Sequence, residues 1–298
     1  MISTLDCLIG VPYDCSGRFV GCERMPAALR AEGVASALGL QDFGNLQVTI
    51  ADPVRDPDWQ VIGLEDLRRA NLVIRDAVHG LLAGGHHPLL LGGDCTLLIG
   101  VAAALQAAAP QARLAFVDGH LDCYDGSSSQ TGEGADMELA IILGRGARPL
   151  THLTGRSPLI DPERVVCLGP VDEEEATRLS APDPRVFASA MQIVDGTTLA
   201  ADPTGAGHRT LEAMTSGSDG FWLHLDVDVL SAAAMPAVDY PQAEGLDWDQ
   251  LTALLTPLVG SKQLLGADVT IYNPTSDTNG SCARRLVRLL TEVSGMSA

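Results

Sequence analysis

The chain has 298 residues, of which 46% are hydrophobic and 19% charged, enough to bury a sizeable core and too apolar for a disordered chain. Its formal net charge of −19 argues against non-specific binding to nucleic acid or to anionic membranes. A solvated acidic surface explains that charge, as does a protein that gathers metal cations or a cationic substrate.

Taken in chain order, short apolar runs alternate with helical segments. Leu5–Val11 reads as a strand. Pro26–Leu38 reads as a helix with proline in its first turn. Leu64–Ala83 is a longer amphipathic helix, stopped by Gly84-Gly85. Pro88–Gly93 is a short buried strand and Thr96–Ala109 an Ala/Leu-rich helix. Arg113–Val117 is a strand with Asp118 opening its exit loop. Asp125–Gly134 is a long polar loop, a kind often used for function. Met137–Leu143 looks helical, and Val165–Leu168 is a strand. The acidic run Asp172–Glu175 opens a helix, where carboxylates favour the positive dipole end. Met191–Val194 and Phe221–Val229 are strands. Asp247–Leu258 is a helix, Gln263–Ile271 a strand, and Ser281–Val293 a terminal helix.

Strands separated by helices predict an α/β fold with a mostly parallel sheet and helices on both faces. No linker or internal repeat stands out, so one domain over 1–298 is expected. Apolar runs such as Leu97–Leu105 fall well short of the roughly 20 residues of a membrane span. The start, Met1 to Asp6, has no basic region before an apolar stretch, so no secretory signal is expected. The seven cysteines are an odd number without CxxC spacing, and read as thiols of a cytoplasmic protein.

Parallel sheets place their sites outside the carboxyl ends of strands. Metal-type ligands cluster at such ends in Gly92-Gly93-Asp94-Cys95-Thr96, in Asp118-Gly119-His120-Leu121-Asp122 and in His224-Leu225-Asp226-Val227-Asp228. A carboxylate inside a run as apolar as Phe221–Leu230 is expensive unless it is paired or binds a cation. Alternate residues of a strand share a face, which would aim Asp226 and Asp228 into one pocket. Asp118, His120 and Asp122 repeat that spacing. Four carboxylates and one imidazole in one crevice would repel without a cation, and two divalent ions would neutralise them. Oxygen-rich ligation with one imidazole suits Mn²⁺ or another borderline-hard metal better than a structural zinc site. Cys95 is either a ligand or a small buried hydrophobe.

These motifs resemble those of the ureohydrolase (arginase/agmatinase/formiminoglutamase) superfamily, which carries GGDH, DAHxD and DxDxxDP in this order and at similar spacing. The resemblance runs from Ile9–Pro12 to Asp268–Pro274 and implies a three-layer α/β/α fold. It also implies two Mn²⁺ ions, a bridging hydroxide that attacks a guanidinium or amidine carbon, a small-molecule substrate and a homo-oligomer. By position, Asp118 and Asp226 would bridge the metals. His120 and Asp228 would complete one site, and Cys95 and Asp122 the other, with Asp122 also orienting the hydroxide.

The chain departs from the pattern at several points. Cys95 stands for the histidine of GGDH, and its softer thiolate is expected to make that site the weaker. Ser231 and Ala232 replace the last Asp-Pro of DxDxxDP. Where arginases carry HGxP with its proton-shuttling histidine, the chain reads Ala135-Asp136-Met137-Glu138. The glutamate that holds the guanidinium in arginases falls on Ile271. Glu133 and Asp136 lie near the lost shuttle, and either could serve as acid or base if burial raises its pKa; the alternative is a pair of solvated loop acids. Tyr124, Thr131, Asp172 and Tyr240 fall where family members contact the substrate tail, although Asp172 could equally cap a helix. His224 lines the site or is a satisfied core histidine. His86 and His87 read as structural, at the opposite end of the sheet. The substrate expected is a modified guanidine such as an N-hydroxylated arginine. The alternatives are a formimino-amino acid, a linear amide, or a metal-poor relative that binds without chemistry.

Overall fold

The computed structural model describes residues 3–18 and 21–296. Met1 and Ile2, the start of the segment read for a leader, lie outside them. Eight strands, all parallel, form one sheet: β1 (Cys7–Val11), β2 (Gln41–Asn45), β3 (Pro88–Gly92), β4 (Arg113–Val117), β5 (Val165–Leu168), β6 (Gln192–Val194), β7 (Phe221–Asp226) and β8 (Leu264–Thr270). Their order is β2-β1-β3-β8-β7-β4-β5-β6. The central strands are apolar on both sides because both faces are covered. Leu89, Leu91, Ala115, Val117, Leu223 and Leu225 face one core. Leu90, Leu114, Phe116 and Trp222 face the other. Helices Leu64–Ala83 and Leu97–Ala108 pack together on the second side, and helices Pro203–Thr215, Trp248–Val259 and Ser281–Val293 cover the first. The result is three layers, as expected.

The differences from expectation are local and have physical causes. Gly33 takes a left-handed φ of 79°, which breaks the expected helix over 26–38 into Met25–Ala31 and Val34–Leu38. β2 was not legible as a strand because all five of its residues are exposed. It is held at the edge by Arg30, whose Nε and Nη2 donate to Asp42 at 2.7 and 2.9 Å. Helices Gly196–Ala201 and Pro203–Thr215 were also missed. Their starts are capped by Asp195 and Asp202, but glycine and threonine blur their periodicity. The expected strand over 221–229 stops at Asp226, and Val227–Val229 is a 3₁₀ turn.

The order β3-β8-β7-β4 sets the carboxyl ends of four central strands side by side. Gly93 locks this edge. Its N–H donates to Val11 O at 2.9 Å, and its carbonyl accepts from Ile271 N–H at 2.9 Å. A Cβ placed there would lie 1.7 Å from the Tyr13 carbonyl oxygen, a backbone atom that cannot swing aside. Gly93→Ala is therefore expected to cost about 1–3 kcal/mol of stability. Urea unfolding measures this, and a variant as stable as the parent would contradict the close approach.

Candidate metal centre

The chain turns sharply after β4. Asp118 N–H donates to Leu168 O at 3.0 Å, and Asp118 Oδ1 accepts from His120 N–H at 2.7 Å. This turn brings His120 Nδ1 to 3.0 Å from Asp228 Oδ2 and 3.7 Å from Asp118 Oδ1. Asp122 follows with φ of 43°, a left-handed conformation that aspartate tolerates better than most residues. Across the crevice, Asp226 closes β7. Its Oδ1 accepts from Asp228 N–H at 2.9 Å and its Oδ2 from the Thr270 hydroxyl at 3.1 Å. Asp228 Oδ1 accepts from Gly119 N–H at 3.2 Å. Asp226 and Asp228 therefore meet the crevice through a turn, which corrects the expectation of alternate residues on one strand.

Two clusters result. Ligand atoms of Asp118, His224 and Asp226 all lie within 4.8 Å of one another, and so do those of Cys95, Asp122 and Glu138. All six residues are buried. Asp118 Oδ2, His224 Nε2 and both carboxylate oxygens of Glu138 are buried without a hydrogen-bond partner. Burial pushes Asp122, Asp226 and Glu138 well above the usual carboxylate range, and repulsion among the acids adds to it. Burial opposes ionisation of Asp118 too, but the His120 and His224 imidazoles outweigh it and hold its pKa well below the ordinary value. A cation belongs among so many buried acids, since unpaired carboxylate oxygens away from water are costly. Cys95, Asp118, His120, Asp122, Asp226 and Asp228 supply a donor set that fits divalent ions.

His224 is fully buried and stacks on Phe116 with ring centroids 4.8 Å apart. Its Nδ1 meets Asp268 Oδ2 at 2.5 Å, and Asp268 Oδ1 accepts from the Trp222 indole at 2.5 Å. Its Nε2 faces Asp118 Oδ2 at 3.8 Å. The two expected roles therefore coincide, because one ring nitrogen is satisfied by the core and the other looks onto the site. His224→Ala strands Asp268 without its imidazole and is expected to cost about 3–5 kcal/mol. Chemical denaturation tests this, and a loss under about 1 kcal/mol would mean the Trp222 indole suffices.

The remaining expected residues divide into two groups. Glu133 and Asp136 are not solvated loop acids. Glu133 is buried, pairs with the Arg18 guanidinium and accepts from the Tyr240 hydroxyl at 3.3 Å. Burial raises its pKa, with Arg18 opposing. Asp136 Oδ2 accepts from Ser129 at 2.6 Å and Thr131 at 2.9 Å, and burial lifts its pKa to about 6. Thr131 and Asp136 thus brace the polar loop together. Asp172 sits at the helix start, but its side chain does not cap it; Oδ1 accepts from Leu121 N–H at 3.0 Å, and burial raises its pKa to about 6. Tyr124 is half-buried, and its N–H donates to Asp136 O at 3.0 Å. Tyr240 is 49% exposed and Ile271 buried, one residue past β8. His86 and His87 lie at the opposite end of the sheet, as expected, with Asp6 and Leu264 O as partners.

Sequence reasoning missed Glu138, Asp268 and Gln242 as members of this region. Glu138 and Asp268 are lone acids inside apolar runs, the same feature that singled out Asp226. Gln242 carried no such mark. Its side-chain amide lies 2.7 Å from His120 Nε2. The Gln242 atom placed there is Nε2; if His120 Nδ1 holds an ion, the ring proton sits on the imidazole Nε2 and the Gln242 amide turns over to accept it through its oxygen.

Raised carboxyl pKa values also fix a pH dependence. Burial lifts Asp94 to about 7, beside about 6 for Asp136 and Asp172. Each exceeds its unfolded value near 3.8, so the folded state binds more protons, and stability falls as pH rises from about 4 through the folded pKa. Chelated protein is therefore expected to melt at higher temperature at pH 6 than at pH 8. A lower melting temperature at pH 6 would contradict the burial of these acids.

Fold and site together define a three-layer α/β protein whose parallel sheet carries metal-type ligands at its carboxyl edge. A model of the arginase family matches residues 6–295. The arginase of Bacillus caldovelox is 27% identical over 294 residues, covering 97% of each chain. That of Brevibacillus brevis is 27% identical over 293 residues with the same coverage. The solved Bacillus caldovelox structure superposes with a TM-score of 0.88, covering 100% of this chain and 99% of that one. Formimidoylglutamase of Bacillus subtilis shares the fold at a TM-score of 0.74 and 18% identity, over 99% of this chain and 87% of that one. The chain belongs to the arginase family. No helix among the described residues is long and apolar enough to cross a membrane.

Proposed function

We propose that the chain is a binuclear metal-dependent hydrolase that cleaves a guanidine- or amidine-type C–N bond of a small amino-acid-like substrate. The observation that carries this reading is the gathering of Asp118, Asp122, Asp226, Asp228, His120 and Cys95 at one sheet edge, with buried acceptor oxygens left unpaired. Two divalent ions, with Mn²⁺ as the family's precedent, supply hydroxide at neutral pH and polarise the substrate.

The chain's own residues do the rest. Asp118 and Asp226 set the spacing of the two sites, His120 and Asp228 hold one of them, and Cys95 and Asp122 hold the other. Asp122 orients the nucleophile. The C–O bond forms first, making the guanidine or amidine carbon tetrahedral, and the C–N bond then breaks as the hydroxyl proton passes to the departing amine. Glu133 and Asp136 lie in the segment that lost the family's histidine and are its candidates for proton transfer, with burial raising the pKa of both, that of Asp136 to about 6. Tyr124, Thr131, Asp172 and Tyr240 shape the place for the substrate tail, and Ile271 makes the end that receives the guanidine apolar.

The test is a panel of guanidino and formimino compounds incubated with Mn²⁺-loaded protein, with separate assays for urea, substituted urea, ammonia and formamide. Urea or substituted urea is the expected product, with N-hydroxyarginine ahead of arginine. Ammonia with formamide would assign the chain to formimino substrates instead. No product from any of them, in protein that holds two ions, would overturn the proposal.

A further inference from the structure

Two departures from the family's motifs fall on one spot. Cys95 stands where GGDH has histidine, and Glu138 stands where HGxP has proline. Their ligand atoms, together with one from Asp122, lie within 4.8 Å of each other. The donors come from three separate segments: the loop after β3, the loop after β4 and the helix Glu138–Ile142. Cys95 is 1% exposed and Glu138 0%. Both Glu138 oxygens are buried with no hydrogen-bond partner. The Cys95 thiol donates weakly to Ala135 O at 3.3 Å.

A buried carboxylate with no donor calls for a proton or a cation. A single proton between Asp122 and Glu138 would serve one pair of oxygens and leave the thiol idle. A cation uses all three groups at once. Replacing a neutral imidazole by a thiolate and adding a carboxylate also makes the local ligand set more anionic and softer. We infer that Glu138 is an additional protein ligand at the Cys95 site, beside Cys95, Asp122 and the shared Asp118 and Asp226, and that the thiolate in this set selects a borderline-soft ion such as Zn²⁺ or Co²⁺ over Mn²⁺ there. The inference rests on the binuclear reading above. It reverses the expectation that the Cys95 site is the weaker one. On binding, the ion displaces the Cys95 proton, which leaves to solvent.

The experiment titrates metal-free, full-length protein with Co²⁺, following the near-ultraviolet thiolate-to-cobalt absorption and counting ions by elemental analysis. Wild type is expected to bind two ions, one of which gives the band, and Cys95→Ser to lose the band. Glu138→Gln keeps the size and removes the charge. It should weaken the band-forming ion at least tenfold while the other ion moves less than about twofold. In Zn²⁺/Mn²⁺ competition, wild type should retain one ion of each kind, and this arm stands even if the Gln variant folds poorly. Glu138→Asp, which keeps the charge on a shorter stem, should give an intermediate midpoint. Equal midpoints for wild type and Glu138→Gln, with two ions in both, would overturn Glu138 as a ligand and leave the binuclear reading intact. Fewer than two ions and no band in wild type would overturn the binuclear reading itself.

Discussion

Asp226→Asn is expected to drop ion content from two per chain to fewer than one and turnover by about a thousandfold or more, roughly 4 kcal/mol of transition-state stabilisation. Asp226 lies at the seam between the clusters. Its Oδ1 already takes the Asp228 N–H at 2.9 Å, which fixes the turn, and its Oδ2 takes the Thr270 hydroxyl at 3.1 Å. An amide keeps one acceptor and presents N–H₂ at the other position, where the Thr270 hydroxyl would have to reverse. It also removes the negative charge that a pair of cations needs between them. The fold should survive, because amide and carboxylate have the same shape and the residue closes β7 in register with Thr270 of β8. Elemental analysis after gel filtration, beside a thermal melt, separates loss of ions from loss of fold. Two ions retained in the variant would contradict a shared role for Asp226.

The chemistry of the site was legible because carboxylates and imidazoles at the ends of apolar runs are conspicuous. Asp118, His120, Asp122, Asp226 and Asp228 stood out from their neighbours on that ground alone. The geometry behind the pattern was less legible. Asp228 reaches the crevice through a 3₁₀ turn, which residue spacing along a strand does not reveal. The sheet was read from its apolar runs, and β2, Gln41-Asp42-Phe43-Gly44-Asn45, escaped because it is mostly polar and exposed throughout. Glu138 escaped for a different reason. In Met137-Glu138-Leu139-Ala140-Ile141-Ile142 it looks like the single polar residue of an amphipathic helix, expected to face water. The short helix is instead buried on every side, which places the carboxylate inside. Asp268 hid likewise in β8, where it holds Trp222 and His224 from the floor of the site. In each case burial decided the role, and burial depends on what packs against an element from elsewhere in the chain.

Free arginine is expected to be a poor substrate, about tenfold to a few hundredfold below the best guanidine, and Ile271→Glu is expected to close much of that gap. Ile271 lies one residue past β8, beside Gly93, whose carbonyl takes its N–H at 2.9 Å. An isoleucine there accepts no hydrogen bond from a guanidinium. A donor left unpaired in a closed site costs about 1–3 kcal/mol, more when charged, and each 1.4 kcal/mol is roughly a factor of ten. An N-hydroxylated guanidine is less basic, so its neutral form enters an apolar end at lower desolvation cost and needs no carboxylate. The backbone favours the exchange too. Ile271 holds φ of 70°, a left-handed conformation that is strained for a β-branched residue, and an unbranched glutamate relieves part of that crowding. The variant should therefore fold, and its kcat/KM for arginine should rise while that for N-hydroxyarginine falls or stays level. Comparing kcat/KM for both compounds in both proteins is the measurement. Arginine hydrolysis by the parent chain within a few-fold of its best substrate would show that other acids around the crevice already receive the guanidinium, and that the apolar residue at 271 does not set the choice.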